Sequence, residues 1–219
     1  MIKLFKFVLK RYSNIYRECS HGEMIERLLR ERKDFFRDNP IFVETGCGIS
    51  TISLNKCAEE LNALAYSLDY NSEKSNDLKS RVGEQVASIK FVIGNSLDNL
   101  PKIVTKHTIN FLFLDSAASA MHTFREFLIC EPALKPGACL LVDNASLPGE
   151  KKLLSPVRKG KILVPYLLAS PYWEVCAHPR AGDSMISAIL HSEANFANPD
   201  YEHTDYIDNW RARFDKTLK

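Results

Sequence analysis

Apolar and polar positions change period along this chain. Met24, Ile25, Leu28 and Leu29 recur at helical spacing, which predicts a helix opening at Ser20 or His21. It ends before Asn39-Pro40, because Pro40 biases its neighbour away from helical geometry. Short apolar runs divided by helical stretches follow. Residues 41–43 run into a glycine turn and a helix over 49–61. Residues 63–68 end in Asp69 and lead to a polar helix over 72–82. Residues 89–93 are closed by Gly94-Asn95-Ser96, and residues 110–114 end in Asp115. A helix over 119–134 comes next, with Lys135-Pro136-Gly137 as its stop. Residues 138–142 form a fifth run, ending in Asp143-Asn144.

Alternating strands and helices imply right-handed crossovers and a parallel sheet. Near-continuous apolar runs imply strands covered on both faces. After a basic helical stretch over 149–168, residues 172–177 and 185–190 flank a Pro-Arg-Ala-Gly-Asp turn too short for anything but antiparallel pairing. The predicted fold is therefore α/β: a Rossmann-like, doubly wound, mostly parallel seven-stranded sheet with an antiparallel terminal hairpin. Its expected divisions are N-terminal helices forming a lid or cap (1–38), a ligand-binding domain (39–194) and a packed C-terminal tail (195–219). In such folds ligands bind at the carboxyl ends of the strands. Glu44, Asp69, Ser96, Asp115, Asp143 and Asn144 all fall at those ends.

Composition narrows the partners. Of 219 residues, 45% are hydrophobic and 26% charged, and the net charge of +2 gives no electrostatic case for nucleic acid. The six cysteines form no C-x-x-C pair, which favours a reduced, cytoplasmic setting. Residues 1–17 carry three Lys and two Arg with no acid, in an amphipathic pattern. A helix packed on the domain is favoured there over one resting on a membrane surface. A homodimer is left open.

In VETGCGISTISL, Gly46 and Gly48 allow a tight turn and close backbone approach to a ligand at a helix start. A dinucleotide fingerprint would place a third glycine at position 51, which is Thr51. Glu44 would repel a diphosphate but suits the cationic amino acid end of S-adenosylmethionine (SAM), directly or through water. Asp69 can accept hydrogen bonds from both ribose hydroxyls. Cys47, Ser50, Thr51, Tyr70, Asn95 and Ser96 join Glu44, Gly46, Gly48, Asp69 and Asp115 as candidate cofactor contacts.

The block FLFLDSAASAMHTFREFLICEPALKPGACLLVDNASLPG resembles the catechol-type, cation-dependent O-methyltransferases, as do GNSLDNLP and HGEMIERLL. That resemblance runs from about residue 21 to 190 and implies a class I SAM-dependent methyltransferase. It implies Asp115, Asp143 and Asn144 as ligands of a divalent cation such as Mg²⁺, and places Ser96 beside the adenine. Two carboxylates and an amide oxygen are hard ligands suited to that ion, which would lower the pKa of a bound hydroxyl and orient it. The lysine that serves those enzymes as base, three residues after the first acid, is Ala118 here. His122, one turn on, is then the candidate base, with Asp115 as the second catalytic candidate. The expected reaction is O-methylation of a small hydroxylated molecule. The alternatives are a non-catalytic SAM-binding domain acting through its basic N-terminal helix, and an NAD-dependent oxidoreductase.

Overall fold

The computed structural model describes residues 20–36, 39–147, 159–180 and 183–193. The basic segment 1–17, residues 149–158 of the basic stretch and the tail from 195 lie outside them.

Seven strands form one sheet: β1 Ile41–Thr45, β2 Leu64–Asp69, β3 Ile89–Ile93, β4 Ile109–Leu114, β5 Leu134–Val142, β6 Trp173–Arg180 and β7 Asp183–Leu190. Their order is β3-β2-β1-β4-β5-β7-β6. Strands β1 to β5 pair in parallel, and β7 runs antiparallel to both β5 and β6. The chain order therefore reverses between β1 and β4, which opens a crevice at their carboxyl ends. The predicted doubly wound sheet with its antiparallel hairpin is the fold observed.

Alternate residues of each strand serve two cores, because successive side chains leave opposite faces of a sheet. On one face Val43, Leu112, Leu114, Leu140 and Val142 pack beneath α4 Ser96–Val104, α5 Ala120–Cys130 and α6 Gly160–Ala169. On the other, Phe42, Phe111, Phe113 and Leu141 pack beneath α1 His21–Glu31 and α2 Ser50–Glu60. Helix α3, Ser72–Val82, has a single buried residue, Ser75.

Local signals fix several helix starts. Ser20 accepts from the Glu23 N–H while the Glu23 carboxylate accepts from the Ser20 N–H, a reciprocal cap that starts α1. Met24, Ile25, Leu28 and Leu29 are then buried, each worth about 2 kcal/mol by area. Asn71 and Asn95 cap α3 and α4 in the same way as other short polar residues.

One stop lies elsewhere than expected. Helix α5 ends at Cys130, and Glu131–Ala133 forms a tighter turn, since Pro132 cannot extend the helix. Lys135-Pro136-Gly137 consequently falls inside β5. There the β4–β5 register shifts, and Gly137 takes φ +90°. No described helix is long and apolar enough to cross a membrane.

Candidate active site

The first turn packs against the end of β4. Gly46 has φ +90°, and a Cβ there would lie 2.4 Å from the Asp115 carbonyl oxygen. Only glycine meets both the backbone geometry and the approach. A cavity of about 340 Å³ opens beside it, lined by Gly46, Asp69, Tyr70, Lys74, Gly94, Asn95, Ser96, Ser116, Ala117 and His122, among others.

Asp69 closes one wall. It accepts from the Cys47 and Asn71 N–H groups at 3.0 and 2.8 Å and pairs with Lys74 at 3.2 Å. Burial opposes its ionisation, but these donors outweigh burial and hold its carboxyl below the usual range. Tyr70, 81% exposed, borders the same opening. Asn95 uses its side-chain oxygen to cap α4, accepting from the Leu97 N–H.

The opposite wall is organised by Glu126, a buried acid of α5 that sequence reasoning passed over. It accepts from the hydroxyls of Thr45, Ser96 and Ser116, tying β1, α4 and the end of β4 to its own helix. Its signal was faint: an acid on the same helical face as Thr123, Phe127 and Cys130.

His122 completes that wall. Its Nε2 lies 2.9 Å from the Ser96 hydroxyl and 3.2 Å from Glu126. The Ser96 hydroxyl has one proton and donates it to Glu126, so Nε2 donates to Ser96. The hydrogen bond to Glu126 also raises the pKa of the imidazole. Nε2 is therefore occupied as a donor in this arrangement.

Glu44 is fully buried beneath the turn, with its oxygens taken by Ser50, Thr51 and Ser67 at 2.6, 2.6 and 2.7 Å. Burial pushes its carboxyl up to about 7 against the pull of these donors. These hydrogen bonds fasten β1, β2 and the start of α2. Ser50 and Thr51 likewise face inward, and Thr51 accepts the Gly48 N–H. The Cys47 thiol, buried against Ser75, is pushed up to about 11, chiefly by burial, and is a poor nucleophile.

At the ends of β4 and β5, Asp115 and Asp143 come together around a residue not foreseen, Lys159. Its ammonium donates to both carboxylates, at 3.2 Å for Asp143. The lysine side chain is only 6% exposed. His21 at the start of α1 adds a contact of 2.7 Å to the other oxygen of Asp143. Burial opposes ionisation of Asp143, but His21 and Lys159 outweigh it and hold that carboxyl well below the usual range. Asp115 is pushed up to about 6, by burial first and by the neighbouring Asp143 charge, against the pull of Lys159. Asn144 adopts a left-handed φ of 48°.

Residues 43–145 match a family model described as a methyltransferase domain. Just under half of the chain is thus similar to that domain. No curated protein matches it. Among solved structures, the O-methyltransferase TomG of Streptomyces achromogenes, involved in tomaymycin synthesis and solved with SAM, is 18% identical. It superposes with a TM-score of 0.63 over 80% of this chain and 82% of its own. An O-methyltransferase from Bacillus cereus with bound SAH is 18% identical, TM-score 0.64, over 84% and 89%. The MycE methyltransferase, in complex with Mg, SAH and mycinamycin VI, is 15% identical, TM-score 0.53, over 78% of this chain and 51% of MycE. These likenesses show the fold and cover 78–84% of the chain.

The divalent cation implied by the resemblance does not fit the residues present. Lys159 lies between the two carboxylates expected to ligate it, and no cluster of three His, Cys, Asp or Glu able to hold a metal exists among the described residues. A dication within about 4 Å of that ammonium would meet a repulsion of about 8 kcal/mol at an effective dielectric of 20.

Proposed function

We propose that this methyltransferase moves the methyl group of SAM to an oxygen of a small hydroxylated molecule. The observation that carries the reading is the position of the cavity. It lies at the strand ends where the chain order reverses, between Asp69 and the Ser96–Ser116 wall, and Ser116 directly follows Asp115 in the chain. The methyltransferase family match and the SAM and SAH held by structural neighbours support it.

In this reading Asp69 takes the ribose hydroxyls, while Ser96, Ser116 and Ala117 border the adenine. The Gly46–Gly48 turn admits the amino acid portion. The acceptor enters beside Asp115, whose backbone abuts Gly46. Transfer is an in-line displacement in which an acceptor oxygen lone pair forms the new O–CH3 bond. The S–CH3 bond breaks, its electrons stay on sulfur, and SAH leaves uncharged. The hydroxyl proton passes to the Asp115 carboxylate and on to solvent. Catalysis of this kind rests mainly on positioning and on excluding water.

Thermal melting with SAH tests the cofactor assignment. A ligand at a hundredfold its Kd adds about 2.7 kcal/mol, a rise of roughly 5–10 °C for a chain of this size. No rise at high excess sinks the proposal. Labelled SAM offered with phenols, sugars and hydroxy acids then identifies the acceptor class.

A further inference from the structure

We propose that Lys159 is a built-in cation of this site: its ammonium fills the seat between Asp115 and Asp143 that a divalent ion would need, and presents a proton to the acceptor oxygen. The inference deepens the reading above and rests on it for the acceptor, but the occupation of the seat stands on geometry alone.

Three observations carry it. The first is that the ammonium bridges both carboxylates rather than pairing with one at the surface. An ammonium so buried is tolerated only where charges and hydrogen bonds compensate it, and two acids do so here. The second is that the seat is built by the backbone. Gly160 follows Lys159 and opens α6, and a Cβ on it would lie 2.5 Å from the Cβ of Ala145. Glycine lets the helix start press against the end of β5, which brings the preceding lysine down to the acids. The third is the valence of the group. An ammonium has three protons, and among the described residues Asp115 and Asp143 take two. The third is the donor assigned to the acceptor oxygen.

A fixed ammonium beside the acceptor stabilises negative charge as it develops on oxygen, the service a metal would otherwise provide. It does so without exchanging with solvent. Lys159 therefore both excludes the dication and supplies the positive charge that the dication would have brought.

Mn²⁺ binding, read by electron paramagnetic resonance in the absence of SAM and acceptor, tests the seat independently of the reaction. Wild-type protein should leave the free Mn²⁺ signal unchanged. Binding with a Kd of about 1 mM or tighter overturns the proposal. Lys159→Met keeps the length of the side chain and removes the charge. It should gain Mn²⁺ binding that Asp143→Asn then abolishes, and a folded Lys159→Met protein that stays blind to Mn²⁺ also overturns the proposal. With an acceptor found, wild-type transfer should be indifferent to EDTA. Lys159→Met should lose about a hundredfold in kcat with SAH binding retained, and added Mn²⁺ should restore part of it. Lys159→Arg, which keeps the charge, should remain blind to Mn²⁺. That comparison and the wild-type titration decide the matter if Lys159→Met fails to fold. Failure of SAH to bind would instead strike the cofactor reading and leave the Mn²⁺ result standing.

Discussion

Two sets of acids sit at the same end of this sheet and are handled in opposite ways. Glu44 and Glu126 are surrounded by hydroxyls: three on Glu44, and three with an imidazole on Glu126. Asp115 and Asp143 instead share an ammonium, with His21 on the second. A ring of neutral donors satisfies a carboxylate without a counter-charge, and burial then pushes Glu44 toward its neutral form. Such a group fastens strands together and offers little to a ligand. The shared ammonium and His21 keep the charge on Asp143, while Asp115 is pushed up less far than Glu44, to about 6. Under the proposed function that is what methyl transfer can use, and Asp115 directly precedes Ser116 of the cavity wall.

Breaking the charged set should have the largest effect. Asp143→Ala leaves Lys159 buried with one partner fewer, and should cost about 3–5 kcal/mol of stability. That is a fall in melting temperature of roughly 10 °C, measured by calorimetry, with transfer abolished. A stable, active variant would mean that the ammonium does not depend on the pair.

The hydroxyl-lined set should announce itself through pH. The folded-state pKa of Glu44, about 7, lies above its ordinary value of 4.5. Between those values the folded protein keeps a proton that the unfolded chain releases, so this contribution to stability falls as pH rises and is flat above. Its full size is about 3 kcal/mol. His178 works the other way: burial, helped by the Arg27 charge, lowers it to about 4, so stability falls as pH drops from its ordinary 6.5. Denaturant melts of wild type and Glu44→Gln at pH 5 to 8 isolate the first effect by difference. The wild-type advantage should shrink as pH rises, and a constant difference contradicts the assignment.

Gly160→Ala probes how the charged set is assembled. The added methyl meets Ala145 and Val164, and relief should cost about 1–3 kcal/mol. Lys159 is withdrawn in the process, so kcat should fall more than SAH affinity. Equal losses in both would deny the link. Smallest of all, Ser67→Ala removes one of three donors from Glu44, at about 1 kcal/mol by urea melting. No change in transfer should accompany it.

The same contrast explains what the sequence made legible. Short apolar runs ending in Glu44, Asp69, Asp115 and Asp143 revealed the strands and the edge where the site lies, because burial on both faces imposes that pattern. The stop of α5 was misplaced because Pro132 and Pro136 each punctuate the chain, and spacing does not say which ends the helix. Within the site, Asp69 and Ser96 could be assigned to the cavity wall, since each is tied to a turn at a strand end. Lys159 could not. It is one cation in a basic stretch, and only the docking of α6 over β5, permitted by Gly160, selects it. Glu44 was placed in the right turn, but serine and threonine at positions 50 and 51 read equally well as ligand contacts and as buried donors.

The arrangement around Lys159 also limits what an acceptor must look like. A six-coordinate ion can grip two adjacent oxygens at once, whereas an ammonium already holding two carboxylates has a single hydrogen to give. Recognition at this position is therefore monodentate. Under the proposed function a lone hydroxyl should suffice and a vicinal second one should add nothing, and a chelating acceptor should lose the advantage it would enjoy at a metal.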